Sequence, residues 1–242
     1  MIKKSLRHAL AISVALICTN VYTNATAGDF NDIRQLSQDA FLRLSKDLAS
    51  VTALRALSPG VTLNLLGFDI GVEVGVTKVD STDIWKKAGG GATDVITPRL
   101  TIHKGLAAGV DIGASIGAAG GTGTQTLGAI VRYQFIEPGL ITPGATIRLT
   151  ANRDIGANKV SVRTLGADFV VAKPLVIVTP YIGIGTVRAE TSAPSTLLSN
   201  VTVNRTRTFV GFDARLAFAT VSAEAEKIGD TTTISSKLGF RF

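Results

Sequence analysis

From Gly67 onward, apolar and polar residues alternate along the chain. Phe68, Ile70, Val72, Val74 and Val76 face away from Asp69, Gly71, Glu73, Gly75 and Thr77. The same period returns in segment after segment. Ile96, Leu100 and Ile102 oppose Thr97, Arg99, Thr101 and His103, and Val110, Ile112, Ala114 and Ile116 oppose Asp111, Gly113, Ser115 and Gly117. Leu127 to Phe135, Ile147 and Leu149, Thr206 to Leu216, Val221 to Ala225 and a last run ending at Phe242 repeat it. A period of two marks strands whose two faces meet different surroundings. Around 160–172 the apolar face changes phase, from Val160 and Val162 to Leu165, Ala167, Phe169 and Val171, which predicts a bulge near Arg163. Residues 175–188 are apolar on both faces, so their register is unreadable.

The segment before this keeps another period. Ile33, Leu36, Ala40, Leu44, Leu48, Val51 and Leu54 recur at steps of three or four, which predicts an amphipathic helix over 29–57. Asp29 is placed to cap it, and Ser58-Pro59-Gly60 ends it.

Ten strands result, an even number. Their connections alternate between short turns, near 104–106, 172–174 and 217–219, and longer or glycine-rich loops, near 80–94, 119–125, 153–158 and 188–203, with two exceptions: the Glu137–Gly144 link is moderately long and the 228–231 turn is short. Phe68, Tyr133, Phe135, Phe169, Phe218, Phe240 and Phe242 fall at the short-turn end, as an interfacial aromatic belt does. The reading is all-β: an antiparallel transmembrane up-and-down β-barrel of about ten strands with an N-terminal amphipathic helix. It divides into a signal peptide (1–27), a helical plug or lid segment (28–60) and the barrel (61–242).

The leader rests on Lys3, Lys4 and Arg7, an apolar run from Ala9 to Cys18, and the small-x-small pattern Ala25-Thr26-Ala27. Ten apolar residues are too few to span a bilayer, which takes about 20. Ile17 stands where a lipoprotein signal wants a small residue, so Cys18 is not read as lipidated. Cleavage after Ala27 removes the one cysteine, His8 and three basic residues, leaving 22 Lys and Arg against 18 Asp and Glu, a net of +4. With no basic run and no aromatic-basic interleaving, nucleic acid is not an expected partner.

The terminal strand carries a resemblance. Ile234, Leu238, Phe240 and Phe242 point one way, Lys237 and Arg241 the other, and the chain closes on an aromatic residue. This resembles the C-terminal signal of Gram-negative outer-membrane β-barrel proteins, which implies that Leu238, Phe240 and Phe242 are read by the barrel-assembly machinery. It also implies a place in the bacterial outer membrane, with outer-membrane lipids and lipopolysaccharide as partners. Both ends of the mature chain are then expected on the periplasmic side.

Charges collect on the face expected to line the lumen: Asp69, Glu73, Arg99, Asp111, Arg132, Arg148, Arg163, Asp213, Arg215, Glu224 and Glu226, together with His103, Arg205, Arg207, Lys237 and Arg241. They mark either a solute path, whose basic excess favours anions, or the paired filling of a narrow barrel. Gly71, Gly75, Gly109, Gly113 and Gly117 share that face, and a glycine in a strand marks close approach by another backbone. The helix is the candidate, although its apolar stripe suits a periplasmic lid or an interfacial position as well. After cleavage His103 remains as the single histidine; at the short-turn rim it reads as an ordinary polar residue, not a catalytic base. One histidine and no cysteine leave little for a zinc site, and no cofactor is expected. Gly117 to Gly123 lacks the Lys-Ser/Thr ending of a phosphate loop and reads as an outer loop. Trp85, beside Lys86 and Lys87, is placed to touch lipopolysaccharide or to anchor at the interface. The functional expectation is a non-catalytic, porin-like barrel for limited passage or binding of small or lipid-like solutes. A structural or surface-interaction barrel is the alternative, and an outer-membrane lipid hydrolase the third.

Overall fold

The computed structural model describes residues 30–58, 61–90, 94–119, 124–155, 159–194 and 196–242, and the expected signal peptide, with Cys18 and Asp29, lies outside them. Ten strands follow in order: β1 (Phe68–Lys78), β2 (Asp94–Gly105), β3 (Val110–Ala119), β4 (Thr124–Ile136), β5 (Gly144–Ile155), β6 (Ser161–Ala172), β7 (Val178–Ser192), β8 (Val201–Leu216), β9 (Ala219–Ile228) and β10 (Thr231–Arg241). Each pairs antiparallel with its neighbours in sequence, and β1 pairs with β10, so the sheet closes on itself. Closure leaves no strand edge bare, the condition a sheet must meet in lipid.

Alternation decides what faces where. On β10 every second residue, from Thr231 to Arg241, is buried in the barrel, while Ile234 stays 65% exposed on the outer wall. Leu100, Leu149, Ile184 and Val210 project outward in the same way. An apolar outer wall around a polar interior is the pattern of a transmembrane barrel of the outer-membrane type. At one rim Phe68 and Phe242 exchange both backbone hydrogen bonds, and the ring pairs Phe68–Phe242, Phe135–Phe169 and Phe218–Phe240 gather there with the short turns. This terminal rim is opposite a loop rim that carries residues 79–90 and 196–200. Short turns belong on the periplasmic side and long loops outside.

The barrel is threaded. The described residues start at the loop rim, where the Phe30 ring packs at a tilt against Trp85 and the Asp32 N–H donates to the Ala88 carbonyl. After a 3-10 turn at Ile33–Gln35 the chain forms α1 (Gln38–Thr52), which packs inside against β6, β7 and β8. Residues 53–58 and 61–67, in irregular structure, lead on through the lumen to the terminal rim and into β1, where the Gly105 N–H donates to the Gly67 carbonyl. The expectation that both ends of the mature chain lie on the periplasmic side is therefore corrected: Phe30 and Phe242 sit at opposite rims.

The helix is also shorter than the periodicity predicts. Ser37 caps it, its Oγ accepting from the Ala40 N–H, and it stops at Thr52. Barrel side chains take over the carbonyls that a longer helix would use internally: Arg99 and Asn152 donate to Thr52, Arg207 to Leu54 and Arg148 to Ala56.

No bulge occurs near Arg163. Pairing between β5 and β6 runs unbroken from Gly144↔Ala172 to Arg153↔Arg163, and the irregularity lies instead on β4, between Gln134 and Ile136. Val160 and Val162 point inward, where they join Phe41, Leu44, Leu48 and Val51 of α1 in one apolar cluster with Val201 and Val203. The loop-side half of the lumen is thus apolar, and the helix stripe has its match there. β6 keeps one phase throughout, which turns Arg163 outward, exposed, and not into the lumen.

Candidate functional site

Below the helix the lumen changes character. Asp168 of β6 accepts from Arg148 Nε at 2.9 Å and from Arg207 Nη1 at 3.2 Å. Arg207 reaches on to Glu226, whose other oxygen takes Arg55 Nε of the threaded segment at 2.8 Å. Glu224 accepts from the Tyr181 hydroxyl at 3.1 Å, and the Arg148 guanidinium lies over the Phe209 ring, 4.4 Å from its centroid. Nearer the terminal rim Arg241 bridges Asp69 and Asp213, Lys237 bonds Asp69, and Ser222 donates to Asp213. Arg132 pairs with Asp111 and with the Ser58 hydroxyl. Asp111 also accepts from the Leu63 N–H at 3.0 Å, and Gln134 from the Thr62 N–H at 2.7 Å.

Two of these layers, around Arg207 and around Arg132, grip the thread. Four inward arginines, Arg99, Arg132, Arg148 and Arg207, spend hydrogen bonds on residues 52–58, while carboxylates on β3 and β9 hold Leu63 and Arg55. Charges this buried are tolerated only when paired and hydrogen-bonded, and stripping one partner from such a pair costs about 3–5 kcal/mol. The segment is therefore part of the barrel's charge structure.

At the loop rim a separate contact fixes the helix. Asp47 of α1 accepts from the Ser81 N–H at 2.9 Å and from Trp85 Nε1 at 3.0 Å. Trp85 belongs to α2 (Thr82–Lys87) and is fully buried, so it touches neither lipopolysaccharide nor the membrane interface. Burial raises the Asp47 carboxyl above its ordinary range, and the two hydrogen bonds oppose the shift only in part.

The expected lumen residues separate into three groups. Asp69, Glu73, Arg99, Asp111, Arg132, Arg148, Asp213, Glu224 and Glu226 are inward and buried. Arg215 stands at the terminal rim, exposed, donating to the Ala217 carbonyl. Arg163 is on the outer wall. His103 is buried within the barrel, not an exposed rim residue, and neither ring nitrogen is hydrogen-bonded among the described residues. Asp168, Arg55 and Asp47 complete the network and were not anticipated. Asp168 falls in the stretch where the phase misled, and Arg55 lies in the segment read wholly as helix. Among the described residues no group of three or more His, Cys, Asp or Glu is arranged to hold a metal ion.

The glycine stripe does not receive the helix. A Cβ on Gly71 would meet Lys237, on Gly75 Thr97 and Ser235, on Gly113 His103, and on Gly117 Arg99, the last at 2.4 Å from Cγ. These glycines make room for polar side chains crossing from the adjacent strand. Gly109 sits in the β2–β3 turn at φ 69°, where glycine is favoured for its backbone. Close approach by the thread occurs elsewhere: at Gly128, where a Cβ would lie 2.6 Å from Leu54, and at Gly105, against the backbone of Leu63 and Asn64.

No protein-family model and no curated protein matches the chain. Among solved structures it is similar to "KdgM porin in complex with disordered oligogalacturonate", at 10% identity and TM-score 0.39, over 72% of this chain and 99% of that one. It is similar to the "Translocator domain of autotransporter NalP from Neisseria meningitidis", at 10% identity and TM-score 0.40, over 85% and 94%. A third, "Crystal structure of Neisserial surface protein A (NspA)", aligns at 12% identity and TM-score 0.34, over 72% and 95%. At such distances the likeness carries nothing about what this barrel binds or passes.

Proposed function

We propose that the protein is a non-catalytic outer-membrane barrel that is closed at rest and acts through its outer face and loop rim, the lumen serving to hold the threaded segment. One observation carries this reading: residues 30–58 and 61–66 occupy the lumen and are bonded to the wall from the Asp47–Trp85 contact at one rim to the Leu63–Asp111 contact toward the other. Solute passage in this arrangement requires the thread to withdraw.

Gated passage of small solutes is the second reading, and one feature favours it. Around the threaded segment, Glu73 Oε2, Arg99 Nε and both nitrogens of His103 on β1 and β2, like Arg148 Nη2, Asn152 Oδ1 and Asp168 Oδ1 on β5 and β6, are buried without a hydrogen-bond partner among the described residues. Buried polar atoms left unpaired by protein are where water enters. A hydrated seam there gives small ions a route beside the thread.

Planar-bilayer recordings separate the two. The closed reading expects rare, brief openings from the intact barrel and sustained conductance once residues 30–58 are deleted, refolding being verified by heat-dependent gel mobility. Steady conductance from the intact barrel would overturn it and favour the seam.

A further inference from the structure

We infer that the outer wall of β5–β7 carries a binding site for a phosphorylated, multiply acylated glycolipid of the outer leaflet. The starting point is Arg163, turned outward by the unbroken phase of β6. Its directly opposed partner on β5 is Arg153, also outward and exposed. Like charges directly across an antiparallel pair destabilise it, their Cβ atoms being only about 5 Å apart. Arg188 on β7 lies on the diagonal from Arg163, about 7–8 Å away by the same geometry. Glu190, directly across from Arg163, bonds Arg188 instead, at 3.7 Å with both side chains half exposed. Three arginines against one glutamate remain, and neither Arg153 nor Arg163 makes an ion pair among the described residues. An anion placed among them turns the repulsion into attraction.

Height on the barrel identifies the anion. Arg153 is two residues from the loop-rim end of β5, Arg163 two from that of β6, and Arg188 four from that of β7. Toward the terminal rim, Leu165, Ala167, Phe169 and Val171 form an outward apolar run. An outward arginine is costly at the bilayer midplane and cheap at its edge, so the cluster belongs at headgroup level.

Two concavities flank the cluster. A polar recess of about 250 Å³ lies beside Arg163, lined by Ser161, Glu190, Ser192 and Thr202. An apolar groove of about 550 Å³ runs along the wall, lined by Val131, Leu149, Leu165, Ala129, Ala151 and Ala167, with Arg188 at its edge. The two together suit phosphates above and acyl chains below, on one molecule. A free phosphate fits the arginines alone.

The assignment rests on the loop rim facing the outer leaflet. The full chain is placed in phosphatidylcholine nanodiscs, and retention of bisphosphorylated lipid A is compared with that of its dephosphorylated form, phosphatidylglycerol and inorganic phosphate. The expected result is preferred retention of bisphosphorylated lipid A, at least ten-fold weaker in the Arg153→Gln/Arg163→Gln double variant. Ala151→Trp, which fills the groove, should weaken lipid A but leave phosphate binding unchanged. Equal retention by wild type and double variant, equal retention of dephosphorylated lipid or phosphatidylglycerol, or displacement of lipid A by equimolar phosphate would each overturn the site. A wild-type chain that failed to insert would overturn the barrel reading with it. Insertion without lipid A retention overturns this assignment alone.

Discussion

Arg207 is the residue on which most of the buried charge converges. It donates to Asp168 and the Leu54 carbonyl, forms an ion pair with Glu226, and lies 3.9 Å from Glu224. Arg207→Met keeps much of the volume but leaves carboxylates short of a cation, and we expect a loss of about 3–5 kcal/mol, read as a lower urea midpoint for loss of the heat-modifiable band. Asp47 gives a pH-dependent counterpart. Because its folded carboxyl titrates above the unfolded value near 3.9, folding favours its protonated form. The stability that Asp47 contributes is fully present below that value and is lost as pH rises through the raised folded one, even though ionisation strengthens the hydrogen bonds it accepts from Ser81 and Trp85. The chain has one tryptophan, and Asp47 holds it. The emission of Trp85 should therefore titrate above the ordinary carboxylate range, and Asp47→Asn should abolish that step. An unchanged titration in the variant would assign it to another group.

At the scale of elements, the strands were legible and their contents were not. Alternation located the strands of the barrel because one wall meets lipid and the other does not. It failed at Val160 and Val162, whose inward neighbours are as apolar as lipid: the helix supplies a second oily surface inside the barrel. The same substitution of surroundings hid the inward face of β7, where Tyr181, Val187 and Ala189 are buried and Ile182 and Ile184 exposed. The helix end was illegible for a different reason. Its last carbonyls are claimed by arginines distant in sequence, and no local pattern records that competition. The inward glycines were visible, but the groups that fill their space come from cross-strand pairing that single-residue spacing does not encode. Thread polarity is directly testable. A cysteine at exposed Asn31 should react with a membrane-impermeant maleimide on intact cells, whereas one at exposed Leu66 should react only after the outer membrane is opened. The reverse pattern would return the start of the chain to the periplasmic side.

For the whole molecule, threading and closure constrain each other. The β1–β10 seam joins the residues that follow the thread to the last residues of the chain, from Asp69↔Arg241 to Lys78↔Thr232. No covalent path lets a finished ring slip over the segment from the side. Either the seam zips up around a strand already lying in place, or the leading end is drawn through a completed hoop like cotton through a needle's eye. Only in the second route is the girth of whatever precedes Phe30 limited by the eye, and that is the route we expect. A short unstructured tag fused there should leave the yield of heat-modifiable barrel unchanged, while a compact disulfide-stapled domain should lower it several-fold and recover it when reduced. Equal yields for the stapled and reduced fusions would mean that the hoop closes last, with its cargo already outside.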